Sequence, residues 1–114
     1  MNNSPIYRVF ITSHFKKQLK SLLKKHPKLK NIVGDALDYF DKKTAESIGK
    51  GVYKIRLKGQ GKGKSGGYRM YIFVMEIDGY LSPICIYPKN EKENLTYEEM
   101  THHLGNVKEE LQKL

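Results

Sequence analysis

The sequence predicts an α+β domain whose helices pack on a mainly antiparallel sheet, in the order β-α-α-β-β-β-α. Three observations carry this. Apolar residues repeat at helical spacing in the first third and again near the C-terminus. From Val52 the apolar period changes to two, the period of a strand. Turn signals, above all Asp78-Gly79, then separate strand-like runs. With 114 residues the chain has room for one core, and it is read as a single domain, 1–114.

"IYRVFI" (6–11) is β-branched and aromatic and reads as the first strand. Thr12 or Ser13 then supplies a helix cap, and Phe15, Leu19, Leu22 and Leu23 form an apolar stripe opposite a lysine face. Pro27 ends that helix, since the residue before a proline avoids helical angles. A second helix starts near Lys28 and carries Leu29, Ile32, Val33, Ala36, Leu37 and Phe40 on one face. It fades at "DKKTAESIGKG" (41–51), and the short link at Pro27 predicts an antiparallel helical hairpin.

In the next strand Tyr53, Ile55 and Leu57 face a core, while Lys54, Arg56 and Lys58 form a cationic face. "YRMYIFVMEI" (68–77) is apolar on both sides beyond Arg69 and reads as a central strand. "YLSPICIY" (80–87) follows the turn, and Pro83 predicts an edge or a bulge there. Thr96 and Glu99 have capping-box spacing and open a last helix. Met100, Leu104, Val107, Leu111 and Leu114 form its stripe, with Gly105 a point where it bends or frays.

Composition narrows the function. Hydrophobic residues make up 39%, enough for a folded globule. No membrane-length apolar run and no signal-peptide pattern is present. Cys85 is the one cysteine, so no intramolecular disulfide forms and a cytoplasmic setting is expected. The net charge is +9, and it is unevenly spread. Between Glu46 and Glu76 there is no acid, yet Lys50, Lys54, Arg56, Lys58, Lys62, Lys64 and Arg69 all fall there. Such a one-sided field draws polyanions: nucleic acid or an acidic protein partner.

The stretch "KGQGKGKSGG" (58–67) contains, at Gly63-Lys64-Ser65, the Gly-Lys-Ser of a phosphate loop. Lys58 occupies the place of that motif's first glycine, and a strand follows where a helix is needed. The stretch is read instead as a basic hairpin loop beside the cationic strands, either as solubilising lysines or as an arm for phosphate backbone.

Cleavage of RNA through its 2′-hydroxyl needs a base, cations for the phosphorane, and an acid for the 5′-oxygen. Lysines crowded together are expected to have lowered pKa values and to share in proton work, while arginine clamps phosphate. No metal motif or cofactor site is read. His14 and His26 are placed on the first helix without ligand partners. His102 and His103, adjacent in sequence, are read as exposed helix residues, with a general-base role as the minor alternative. Cys85 is placed in the core. Tyr53 and Tyr68 alternate with core positions, while Tyr71, Tyr87 and Tyr97 are read as free to stack on a base or donate a proton.

"VYKIRL" (52–57), "GGYRMYIF" (66–73) and "IYPKNEKENLT" (86–96) together resemble the RelE/ParE superfamily of toxins from bacterial type II toxin–antitoxin modules. "GKGKSGG" and the "Y-x-K-N-E" look most like the HigB-like branch. The resemblance implies a RelE-like, microbial-ribonuclease-like fold. It also implies cleavage of messenger RNA in the ribosomal decoding site without a metal or cofactor, and neutralisation by a cognate antitoxin, with no membrane partner.

By position, Lys54 and Arg56 match the paired basic residues of "YKIKL" in RelE-type toxins, and Arg69 matches the arginine of their "GYR". The family's later arginine and tyrosine fall on Asn90 and Thr96, so Lys89, Lys92 and Tyr97 stand as the nearby substitutes. Catalytic roles are thus expected at Lys54, Arg56, Arg69, Lys89, Lys92 and Tyr97, and RNA contacts at Lys58, Lys62 and Lys64. The alternatives are a ParE-like gyrase inhibitor without a hydrolytic site, and a plain RNA-binding module. The antitoxin is expected to be acidic or partly disordered. It would cover the basic face, or dock near Phe15 and Leu29 or on Val107–Leu114.

Overall fold

A computed structural model describes residues 7–58 and 67–114. Its elements are β1 (Arg8–Val9), α1 (Ser13–Leu23), α2 (Leu29–Asp38), a short 3₁₀ turn (Lys42–Thr44), β2 (Glu46–Gly49), β3 (Val52–Leu57), β4 (Tyr68–Met75), β5 (Tyr80–Pro88) and α3 (Tyr97–Leu111). The five strands form one sheet in the order β1-β5-β4-β3-β2. Only the β1–β5 pair is parallel. The α+β class and the mainly antiparallel sheet are as the sequence predicts. Among the described residues no helix is long and apolar enough to cross a membrane.

The predicted first strand shrinks to Arg8 and Val9, because the chain must turn at Thr12 to begin α1. Thr12 is the cap: its Oγ1 accepts from the Phe15 amide at 3.3 Å. α1 ends at Leu23, so His26 lies in the link to α2 rather than on the helix, with its ring against Tyr68. One strand escapes the sequence reading. β2 lies inside the stretch read as a fading helix, and all four of its residues are exposed. It therefore carries no alternation to detect. The local clue is the Gly49-Lys50-Gly51 turn, where all three residues have positive φ (103°, 57° and 78°).

The sheet is covered on both faces. α1 and α2 bury Phe15, Leu29, Val33 and Leu37 against Leu57, Met70, Ile72, Val74 and Leu81. Each such side chain taken fully from water contributes about 1.5–3 kcal/mol. Because Phe15 and Leu29 are fully buried, they are spent on the core and offer no docking surface for a partner. α3 covers the other face, setting Met100, Leu104 and Val107 against Val52, Tyr71, Ile84 and Cys85. Val107 is likewise buried, whereas Leu114 lies beyond the helix end and is 80% exposed. Gly105 is passed without a break.

Pro83 sits at a bulge, just beyond the residues of β5 that pair with β1. The register runs from Tyr71↔Cys85 to Ile72↔Pro83, leaving Ile84 extra. Both Ile84 and Cys85 consequently turn toward α3. Gln18 of α1 repairs the backbone there: its Nε2 donates to the Ile84 carbonyl at 3.2 Å, and its Oε1 accepts from the Ile86 amide at 3.0 Å.

Polar groups fasten α3 to α1. Glu110 accepts from the Ser13 amide, the Ser13 hydroxyl and the His14 amide at 2.8–2.9 Å, so one helix caps the start of the other. His14 Nε2 and His103 Nδ1 share a hydrogen bond of 2.8 Å. Burial, then the neighbouring His14 and His102, pushes the His103 pKa down to about 4; burial and His102 also lower His14. Because these folded-state values lie below the unfolded value of about 6.5, the folded chain holds fewer protons there. Stability is therefore full above about pH 6.5 and is lost as the pH falls toward 4. Thermal melts at pH 7.5, 6.5, 5.5 and 4.8 are expected to show a falling midpoint, and His103→Gln is expected to flatten that fall. An unchanged pH slope in the variant would assign the loss elsewhere.

Candidate functional site

The site is set by the register of β3 on β4. Lys54 stands opposite Tyr71, and Arg56 opposite Arg69. The alternation that sends Met70 and Ile72 to the α1–α2 core sends Lys54, Arg56 and Arg69 to the other face. α3 packs over that face at Val52, Tyr71 and Ile84. The connection from Lys89 to Thr96 runs over the remaining end, since Asn94 reaches Lys54 and Glu93 reaches Arg69.

The predicted cationic face is real but unevenly solvated. Arg56 is exposed and has no ion pair among the described residues, whereas Lys54 is 6% exposed and Arg69 8%. A buried cation costs several kcal/mol in lost hydration unless acceptors reach it. Lys54 Nζ donates to Asn94 Oδ1 and lies 3.4 Å from Glu46 Oε1. Arg69 Nη2 lies 3.3 Å from Glu93 Oε1, and its buried Nε has no hydrogen-bond partner among the described residues.

The structure separates the remaining candidates. Lys58 is exposed at the end of β3. Lys62 and Lys64, with most of the glycine stretch, lie outside the described residues. Lys89 is half-buried and lays its side chain over Gly67, where an added Cβ would meet Lys89 Cδ at 3.1 Å. Lys92 pairs with Glu99, and its amine lies 5.9 Å from the Tyr87 ring. That pairing raises the Lys92 pKa, against the expected lowering, because the hydrogen-bonded carboxylate favours the charged amine more than lost hydration disfavours it. Its partner Glu99 is held down to about 2 by Lys92 and the helix cap. Lys92 is thus a poor proton donor in this state. Tyr97 is 63% exposed and takes Lys50 Nζ at 5.2 Å from its ring, so it meets the β2–β3 turn rather than Arg69.

Two tyrosine readings are corrected. Tyr71 and Tyr87 are buried, not free to stack on a base. Their rings stack 6.2 Å apart, and burial and the Tyr71 hydroxyl raise the Tyr87 pKa. His103 faces His14 at the α1–α3 seam, and His102 lies beside Asn106 on the exposed side of α3. Cys85 is buried as predicted, and burial pushes its thiol up to about 12. Among the described residues no group of three metal-ligating side chains comes together.

Glu46, Glu93 and Asn94 are the residues that sequence reading overlooked, and Tyr71 has a different role from the one read there. Glu46 borders the acid-free run, and only the β2–β3 register Glu46↔Lys54 carries it to the site. Tyr71 acts as a support: its hydroxyl accepts from the Leu95 amide at 3.0 Å, which anchors the connection bearing Glu93 and Asn94.

The chain is thus a small basic α+β protein that gathers a lysine and two arginines at the open end of one sheet face. The chain belongs more narrowly to the RelE toxin family. The family model described as the RelE toxin of the RelE/RelB toxin–antitoxin system matches residues 7–113. No curated protein matches the chain. Toxins of this family pair with an antitoxin and are generally endoribonucleases.

If Tyr71 anchors the connection, Tyr71→Phe should cost about 1 kcal/mol of stability by orphaning one amide. Hydrogen exchange at Leu95 should accelerate while Arg56 stays unaffected. Unchanged exchange at Leu95 would remove Tyr71 from this role.

Proposed function

We propose that this toxin is a ribosome-dependent messenger-RNA endoribonuclease that acts through the 2′-hydroxyl, stops translation and arrests growth. The single observation supporting this most is the convergence of Lys54, Arg56 and Arg69 in adjacent register positions on one sheet face. In the reaction the 2′-oxygen loses its proton and attacks phosphorus. The bond to the 5′-oxygen breaks, and that oxygen takes a proton, leaving a 2′,3′-cyclic phosphate and a 5′-hydroxyl. Negative charge peaks on the phosphorane oxygens. Arg56 and Arg69 supply donors there, and Lys54 adds a third charge from below, which gives the site the electrostatic stabilisation that a metal supplies elsewhere.

Lys58, with Lys62 and Lys64, holds the RNA backbone beyond the site, and the ribosome presents the messenger in a cytoplasmic setting. The raised Lys92 pKa argues against that residue as the leaving-group acid. Lys89 and Tyr97 serve as RNA contacts. The HigB-like placement rests on "GKGKSGG" and "IYPKNE". The antitoxin, by charge complementarity, brings acidic residues to the basic face.

Arg56→Ala is expected to abolish growth arrest and to lower cleavage by about a hundredfold or more. It should leave circular dichroism and the melting midpoint unchanged, since Arg56 is exposed. Mapping messenger 5′ ends after brief induction should show new ends within translated codons. Full toxicity in the variant would sink the assignment. Double-strand DNA breaks without new messenger ends would instead favour the gyrase-inhibitor reading.

A further inference from the structure

Arg69 and Lys54 are buried, yet each is approached by a carboxylate that is itself largely in water. Glu93 is 74% exposed and Glu46 61%. The Arg69 contact is also incomplete. Nε and Nη2 lie on the same edge of a guanidinium and offer two parallel N–H donors to a planar or tetrahedral oxyanion. Glu93 takes only Nη2, at 3.3 Å, and among the described residues Nε is buried without a partner.

We propose that Glu93 is a placeholder for a substrate phosphate. In the free toxin it partly neutralises Arg69; on binding, a phosphodiester of single-stranded RNA displaces it and accepts from both Nε and Nη2. This rests on the RNA-cleaving reading above. The exchange is favoured because an exposed ion pair is weak, whereas a bidentate phosphate satisfies the orphaned Nε as well. Glu46 has the same relation to Lys54 on the neighbouring strand, with Asn94 remaining as a neutral acceptor. Glu99 differs. It accepts from the Thr96 amide and from Lys92, so it is fixed in the α3 cap and is not displaced.

The test uses the full-length toxin and a 2′-O-methyl RNA oligonucleotide, which lacks the nucleophile and is not cleaved. Affinity is measured across a salt series for the parent protein, Glu93→Gln and Arg69→Gln, with melts confirming that each is folded. Glu93→Gln is expected to bind about two- to fivefold more tightly at low salt. Its plot of log affinity against log salt should steepen by up to roughly 0.7, because the freed Arg69 now exchanges a solution counterion for phosphate. Arg69→Gln should weaken binding, and adding Glu93→Gln to it should give no further gain. A purely structural Glu93 would leave the salt slope unmoved. If Arg69→Gln weakens binding but Glu93→Gln neither tightens it nor changes the slope, the placeholder idea is overturned while the RNA site stands. If Arg69→Gln leaves affinity unchanged, the RNA-site reading itself falls.

Discussion

Two cations held almost out of water on one sheet face are the constraint around which this molecule is arranged. Lys54 and Arg69 lie on neighbouring strands, and neither position is compatible with a simple apolar face. A hydrophobic core tolerates such groups only where acceptors are brought to them. The acceptors come from two directions: Glu46 from the β2–β3 hairpin, and Glu93 and Asn94 from the connection into α3. The sheet edge and the chain segment before the last helix are therefore both parts of the site.

That placement in turn depends on α3 being held firmly. Its start is fixed by the Thr96–Glu99 capping box, and its far end by Glu110 capping α1. Between them Met100, Leu104 and Val107 pack on Tyr71, Ile84 and Cys85. Tyr71 links the two layers, buried against α3 yet hydrogen-bonded to the Leu95 amide just before it. The bulge at Pro83 contributes as well, because it turns both Ile84 and Cys85 toward the helix. Residues with no charge thus set the geometry of the charged ones.

Regular periodicity made most of this legible in the sequence. The α2 stripe, the capping box and the central position of β4 all follow from spacing, and each is seen. β2 was not legible because a fully exposed edge strand has no buried face and hence no pattern. The identity of the cationic cluster was legible at Lys54, Arg56 and Arg69, since strand alternation places them together. Its counter-charges were not. Glu46 and Glu93 are distant from Lys54 and Arg69 along the chain, or on a stretch without periodicity, and only the hairpin register and the path over β4 bring them in. Burial of Tyr71 and Tyr87 was missed for a related reason. Alternation tells that they share the Arg69 side of the sheet, but not that α3 covers that side over part of its length.

The two carboxylates following the last strand show how environment, not residue type, divides their roles. Glu99 makes contacts from both oxygens, to the helix-start amide and to Lys92, and its pKa falls to about 2 as a result. Releasing it would break the α3 cap as well as an ion pair. Glu93 has one contact to Arg69 and stands mostly in solvent. It makes no other side-chain hydrogen bond or ion pair among the described residues, and there its release leaves a buried guanidinium edge with two unmet donors. An arginine in that condition strongly favours an incoming oxyanion, because binding removes the penalty of its unsatisfied burial. A lysine at position 69 would not act in the same way, since its single amine has no side-on pair of donors. In the proposed reaction the buried arginine would give oriented recognition, and the exposed Arg56 beside it would meet charge that develops later.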